Sequence, residues 1–152
     1  MIIGIDPGLS GAIAIIWEDK IELFDMPILP DPQSKKRNRI DGMALSKILS
    51  PKGFQAHYVN IELVHSMPKQ GVASSFRFGE GYGIVIGVVQ CLNLPMNFVS
   101  PAKWKRKFNL IGKPKDASRA LAIQQYPELQ QELKLKKYID RADALWIGKF
   151  YG

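Results

Sequence analysis

Gly4-Ile5-Asp6-Pro7-Gly8-Leu9-Ser10-Gly11 joins two apolar runs through a glycine-rich turn that carries a single acid. Met1-Ile2-Ile3 leads into it and Ala12-Ile13-Ala14-Ile15-Ile16-Trp17 runs out of it. Isoleucine and tryptophan favour a pleated, half-buried backbone, so both flanks predict strands. The glycines between them let the chain reverse within a few residues. Asp6 then stands near the end of a buried strand, where an ionised carboxylate is costly unless something compensates it. Either the backbone amides of the turn or a metal ion could do so. The other carboxylates of the chain bear on that choice.

Working outward, residues 20–26 alternate as a third strand, with Ile21, Leu23 and Asp25 on one face. Pro27, Pro30 and Pro32 end it, and a polar, basic loop is expected as far as Arg39. Asp41 is placed to cap a short helix carrying Met43, Leu45, Ile48 and Leu49, closed by Pro51 and Gly53. Residues 57–64 are apolar almost throughout and predict a central strand. Glu62 interrupts them, a second carboxylate at the C-terminal end of a buried strand. A loop with Pro68 and Gly71 follows, and then a helix over residues 72–92. Its second half is apolar nearly all round, which predicts burial on more than one side. Gly79, Gly83 and Gly87 recur every fourth residue, leaving a smooth face that another element can approach.

A fifth strand is expected at residues 96–99, and Ser100-Pro101 opens a short helix through Phe108. After a loop with Gly112 and Pro114, Asp116 or Ser118 leads a helix that ends before Pro127. The last helix holds Ile139-Asp140-Arg141-Ala142-Asp143-Ala144-Leu145-Trp146-Ile147-Gly148. Ala142, Leu145 and Trp146 share its inner face. Asp140 and Asp143 are three apart, so they project from one side and repel unless a cation lies between them. The alternative is a solvent-facing acidic pair balanced by Arg141. These elements predict an α/β fold, a mixed five-stranded sheet flanked by helices, in one domain over residues 1–152.

With 46% hydrophobic residues the chain suits a globular protein, and no apolar run approaches the ~18 residues a membrane span needs. We expect no membrane partner and no leader segment, and a reducing, cytoplasmic setting. The single Cys91 builds neither an intrachain disulfide nor a cysteine metal cluster, and its apolar surroundings predict a buried thiol. Net charge is +7, which favours anionic partners. The cations fall in three clusters: Lys35, Lys36, Arg37 and Arg39; Lys103, Lys105, Arg106, Lys107, Lys113 and Lys115; and Lys134, Lys136 and Lys137. Each could be a solvated face. The second is the best phosphate-binding candidate, because Trp104 and Phe108 are interleaved with it.

Asp6 and Glu62 at strand ends, with Asp140 and Asp143 on a late helix, match one chemical need. Two-metal phosphodiester hydrolysis uses hard cations about 4 Å apart, held by several carboxylate oxygens. On these residues the chain resembles the RuvC-type Holliday junction resolvases of the ribonuclease H-like superfamily. The resemblance runs nearly end to end. It rests on Gly4-Ile5-Asp6-Pro7-Gly8, on Ile61-Glu62, on Ser100-Pro101 with Lys105 and Lys115, and on Asp140-x-x-Asp143-Ala144-Leu145.

The resemblance implies that Asp6, Glu62, Asp140 and Asp143 hold two Mg2+ ions per active site, with Mn2+ as a substitute. It implies that Lys105 and Lys115 serve near the scissile phosphate. The implied activity is paired, symmetric nicking of four-way DNA junctions by a homodimer, leaving 5′-phosphate and 3′-hydroxyl ends without a small-molecule cofactor. Other readings are a nuclease on other branched DNA or structured RNA, a silent junction-binding module, and an ATP-binding domain. The last normally needs two copies of the fold. His65 stands where the family commonly has an aromatic residue, and the sequence stops at Gly152, soon after the acidic helix; with the basic, proline-rich loop after the third strand, these departures point to a divergent, phage-encoded member. His65 and Met67 are expected at the centre of a bound junction, the first stacking on a base and the second acting as a wedge.

Overall fold

The computed structural model describes all residues except 33, 35, 36, 54, 66–70, 151 and 152. Strand β1 (Ile2–Asp6) turns through Gly11 into β2 (Ala12–Ile16), and β3 (Ile21–Asp25) continues the meander. A side chain at Gly11 would collide with the Asp6 carbonyl, so the turn requires glycine there. After β4 (Ile28–Pro30), β5 (Asn38–Ile40) and α1 (Gly42–Leu49), β6 (Tyr58–Glu62) returns to the sheet. Helix α2 (Val72–Cys91) leads to β7 (Met96–Val99), followed by α3 (Pro101–Lys107), α4 (Ala117–Gln125), two short 3-10 turns (Pro127–Gln130 and Lys136–Tyr138) and α5 (Ile139–Gly148). The sheet order is β3-β2-β1-β6-β7, with β3-β2-β1 antiparallel and β1-β6-β7 parallel. The mixed five-stranded sheet flanked by helices is the expected architecture.

Strand alternation sorts the sheet into two faces. Ile3, Ile5, Ile13, Ile15, Val59 and Ile61 pack with Leu45 and Leu49 of α1 and Val85 and Val89 of α2. Ala12, Ala14 and Ile16 pack on the other side with Ala142, Leu145 and Trp146 of α5. That second face is built for close approach. A side chain at Gly4 would overlap the Ala144 carbonyl and the Gly148 amide, so α5 lies directly on the β1 backbone. Asn60 on β6, 2% exposed, donates from Nδ2 to the Ile147 oxygen at 2.9 Å and the Phe150 oxygen at 2.8 Å, satisfying carbonyls at the end of α5.

Three expectations change. The loop expected between Pro27 and Arg39 contains a two-stranded antiparallel ribbon, β4 with β5, in which Ile28 faces Ile40. A proline is tolerated there because a two-stranded ribbon has open edges. Cys91 is exposed, not buried. It lies two residues past Val89, which is about 200° around the helix from the buried face. Helix α2 is buried on two sides only in its second half: Val85 and Val89 meet the sheet, while Ile84 and Val88 approach α1 at Gly42. In its first half Val72 is 88% exposed and Phe76 75% exposed. No described helix is long and apolar enough to cross a membrane.

Candidate active site

The parallel register of β1 and β6 pairs Gly4 with Asn60 and Ile5 with Ile61. Asp6 and Glu62 follow at the C-terminal ends of both strands. By alternation they share the face of Gly4 and Asn60, the face that α5 covers. The close approach of α5 at Gly4 then carries its first turns over Asp6. Carboxylate oxygens of Asp6, Asp140 and Asp143 lie within 4.8 Å of one another. Glu62 falls outside that mutual set, yet its charge reaches Asp6 and Asp143.

The electrostatics follow from that crowding. Burial pushes Asp6 up to about 8, and repulsion from Glu62, Asp140 and Asp143 adds to it, against one backbone hydrogen bond at Gly8. Burial raises Asp143 to about 6, partly offset by a hydrogen bond from Ser118 and the Lys105 charge. Glu62 is raised by burial and lowered in part by Trp104. Asp140 is raised by burial and eased by Lys115, whose Nζ lies 3.9 Å from Asp140 Oδ1. A cluster of half-buried acids with only partial internal compensation fits hard divalent cations. The turn offers Asp6 a backbone hydrogen bond at Gly8, against which burial and its three acidic neighbours raise the carboxyl.

The basic segment is divided by the fold. Trp104, Lys105, Lys113, Lys115, Ser118 and Asp143 line a cleft of about 340 Å³. Lys103 lies away from it, beside Tyr58, Asn97 and Phe150. Lys107 has its Nζ 5.1 Å from the Phe150 ring, and Arg106 is exposed. The interleaved aromatics are packed inward. Trp104 is 1% exposed, and Phe108 packs on Trp146 with ring centroids 4.6 Å apart. Pro101, Trp104 and Phe108 recur at helical spacing, so they mark the inner face of the segment, a signal that the charges between them obscure. His65 is exposed three residues beyond Glu62. Met67 lies outside the described residues.

Several supporting side chains are not visible in the motifs. Trp104 Nε1 donates to Glu62 Oε1 at 2.8 Å. Ser118 is 5% exposed, and its carbonyl accepts from Trp146 Nε1 at 2.9 Å. Arg141 is not a counter-ion for its helix neighbours. It forks onto Asp25 of β3, with Nε to Oδ1 at 2.6 Å and Nη2 to Oδ2 at 2.9 Å, and its Nη1 donates to the Glu132 carbonyl. It thereby ties the acidic helix to the sheet edge and leaves Asp140 and Asp143 facing inward. Of these, only the face shared by Asp25 and the inward alternation of β3 was legible in the sequence.

No protein-family model matches the chain, and no curated protein matches it. Solved structures do. The chain is similar to Thermus thermophilus RuvC in complex with Holliday junction substrate, with a TM-score of 0.55 and 17% identity over 97% of this chain and 90% of that one. It is also similar to the Thermus thermophilus RuvC structure, with a TM-score of 0.56 and 16% identity over 96% and 89% of the two chains. The fold is therefore RuvC-like, a mixed five-stranded sheet flanked by helices.

Proposed function

We propose that the chain is a divalent-metal-dependent endonuclease that resolves four-way DNA junctions by paired, symmetric nicks, leaving 5′-phosphate and 3′-hydroxyl ends. The observation that carries this reading is the trio Asp6, Asp140 and Asp143 with oxygens within 4.8 Å, beside Glu62 and flanked by Lys105 and Lys115. Asp6, Glu62, Asp140 and Asp143 would hold two Mg2+ ions, with Mn2+ as substitute. When bound, such ions stabilise charge on the attacking and leaving oxygens of the phosphodiester and lower the pKa of water.

The chain's own residues do the rest. Burial of Asp6 and Asp143 strengthens every interaction with charge that develops nearby. Lys105 and Lys115 hold the scissile phosphate in the cleft they share with Asp143. Lys113 lines the same cleft and adds attraction for the backbone, while Lys103, Arg106 and Lys107 extend it outward. His65 and Met67 would meet the exposed bases of a junction centre.

A homodimer would supply the two symmetric sites that paired nicking needs. Helix α2 supports this. Val72 and Phe76 are exposed on it, and side chains built at Gly79, Gly83 and Gly87 would meet nothing within 4 Å. Light scattering at micromolar concentration tests the dimer, and a monomer both with and without junction removes it.

The function itself is tested with Mg2+ on a mobile four-way junction, a three-way junction, a flap and a linear duplex. Symmetric nicks confined to the four-way junction are expected. Equal cutting of all four substrates would replace junction resolution with a general nuclease, and no cutting of any would leave a junction-binding module.

A further inference from the structure

The acids and lysines of the site are joined by a buried group that the nuclease chemistry has not used. Trp104 is 1% exposed within the core of the α5 face, yet both polar features of its indole point toward the site. Its Nε1 donates to Glu62 Oε1 at 2.8 Å, and Lys105 Nζ stands 5.2 Å from its ring centre. An indole has a positive N–H edge and a negative face. Here the edge meets the carboxylate and the face meets the ammonium.

We propose that Trp104 is a positioning residue that fixes the Glu62 carboxylate and the Lys105 ammonium on one rigid plane between the metal-binding acids and the phosphate cleft. The proposal rests on the nuclease reading for its consequence but not for its geometry. Glu62 ends a strand and has three rotatable bonds, so nothing in β6 alone sets its terminal torsion. The indole occupies one lone pair of Oε1 and leaves the remaining acceptor sites of the carboxylate for a cation. Lys105 has a long flexible stem, and the ring face below it limits where its charge can go. Trp104 itself is buried, set one turn into α3 within one core cluster with Val99, Leu110 and Leu145.

Trp17 provides an internal control. Its Nε1 donates to Glu22 Oε2 at 2.8 Å, the same bond between the same groups. It follows β2 at the end of the sheet opposite Asp6, since Ile16 pairs with Ile2 while Ala12 pairs with Asp6.

The test uses the full chain and reads the three indole N–H resonances of Trp17, Trp104 and Trp146 by NMR. The Trp104 signal is expected to move in Glu62→Gln and again as Mg2+ is titrated into the wild type, while Trp17 stays fixed. A Trp104 resonance indifferent to both changes overturns the proposal, whatever the protein cuts. Trp104→Phe keeps a ring and loses the donor. It is expected to raise the Mg2+ concentration for half-maximal junction cleavage and lower kcat, each by about 10–100-fold, with junction affinity in Ca2+ unchanged. A folded Trp104→Phe protein with wild-type metal dependence and kcat shows an indole that only fills the core. If the variant does not fold, the NMR arm decides alone. Failure of the nuclease reading is recognised separately, by a wild-type protein that cuts no nucleic acid while its Trp104 signal still follows Mg2+.

Discussion

Helices α5 and α2 cover opposite faces of one sheet and are held in opposite ways. Six of the ten residues of α5 are buried, and the helix lies so close to β1 that a methyl group at Gly4 would strike its backbone. Arg141, Asn60 and Trp146 add polar ties to β3, to β6 and to the Ser118 carbonyl. Helix α2 is twice as long, and only Val85 and Val89 are fully buried. Its row of glycines faces open space. Under the proposed function the difference has a reason: carboxylates that would hold metal ions need a helix with little freedom to shift, and α5 is the tightly packed one. A helix kept open and apolar along much of its length is suited to meeting another molecule.

The widest break in that comparison is expected at Asp6. Asp6→Asn removes the charge on which the other three acids converge, and cleavage should fall by at least about 10²–10³-fold. Junction affinity measured in Ca2+ should stay the same or rise, since one charge that repels phosphate is gone. Near wild-type nicking by this variant would end both the site assignment and the nuclease proposal. Gly4→Ala attacks the same region through packing alone. The added methyl meets backbone, which cannot rotate away, so a loss of about 1–3 kcal/mol or more is expected in urea unfolding. A stable Gly4→Ala protein would mean that α5 can lift from the sheet.

The acidic region should also respond to pH in a direction opposite to a salt-bridged protein. Asp6 is held at about 8 and Asp143 at about 6, above the ordinary carboxyl value near ~4. Between those values the folded chain retains protons that the unfolded chain has released. Stability of the metal-free protein therefore falls as pH rises through that window. Mg2+ at about pH 8 should reverse the loss, by about 2–4 °C in Tm per kcal/mol of binding free energy gained. A Tm that is flat across the window and indifferent to Mg2+ would show that the acids are solvated. Asp6→Asn should flatten the slope, because it removes the most raised of the four groups.

The two faces were unequally legible in the sequence. Alternating isoleucines and the strand-end positions of Asp6 and Glu62 follow from local pattern, as do the bounds of α2 and α5. The spacing of the two carboxylates on α5 is likewise local, because i and i+3 share a helix side. What escaped depends on contacts made across the fold. Trp104 sits among lysines in sequence and among core residues in space. Arg141 sits between two aspartates in sequence and binds a third, on β3. Ile28 and Ile40 pair across a proline-broken stretch whose composition gives no strand signal. Position in a helix or strand is written in neighbouring residues; the partner of a polar side chain is not.

On the other face, Gly87→Leu sharpens the comparison with a small effect of opposite sign on two measurements. A Cβ at position 87 meets nothing within 4 Å, and replacing a helical glycine should leave the monomer unchanged or stabilise it by up to about 1 kcal/mol. Self-association measured by light scattering should weaken, since the smooth face that permits close helix approach is filled. A dimer of unchanged strength would place the interface elsewhere.

The smallest effects are expected from single lysines, and there the comparison becomes one between two flanks of α3. Lys115 lines the cleft with Asp143 and stands 3.9 Å from Asp140, whereas Lys103 lies on the other side of the helix near Phe150. Lys115→Ala and Lys103→Ala remove the same charge, so long-range attraction should drop alike. A direct phosphate contact adds something different. Each one released lowers the slope of log affinity against log salt by about one unit. Lys115→Ala should show that change of slope together with slower cleavage. Lys103→Ala should show a smaller change of slope and a cleavage rate close to wild type at saturating junction. Lys115 also eases the raised Asp140 carboxyl, so its removal should weaken Mg2+ dependence less than it weakens binding of phosphate. If the two variants behave alike in slope and in rate, the basic segment is a diffuse attractive surface, and the cleft beside Asp143 does not select the scissile phosphate.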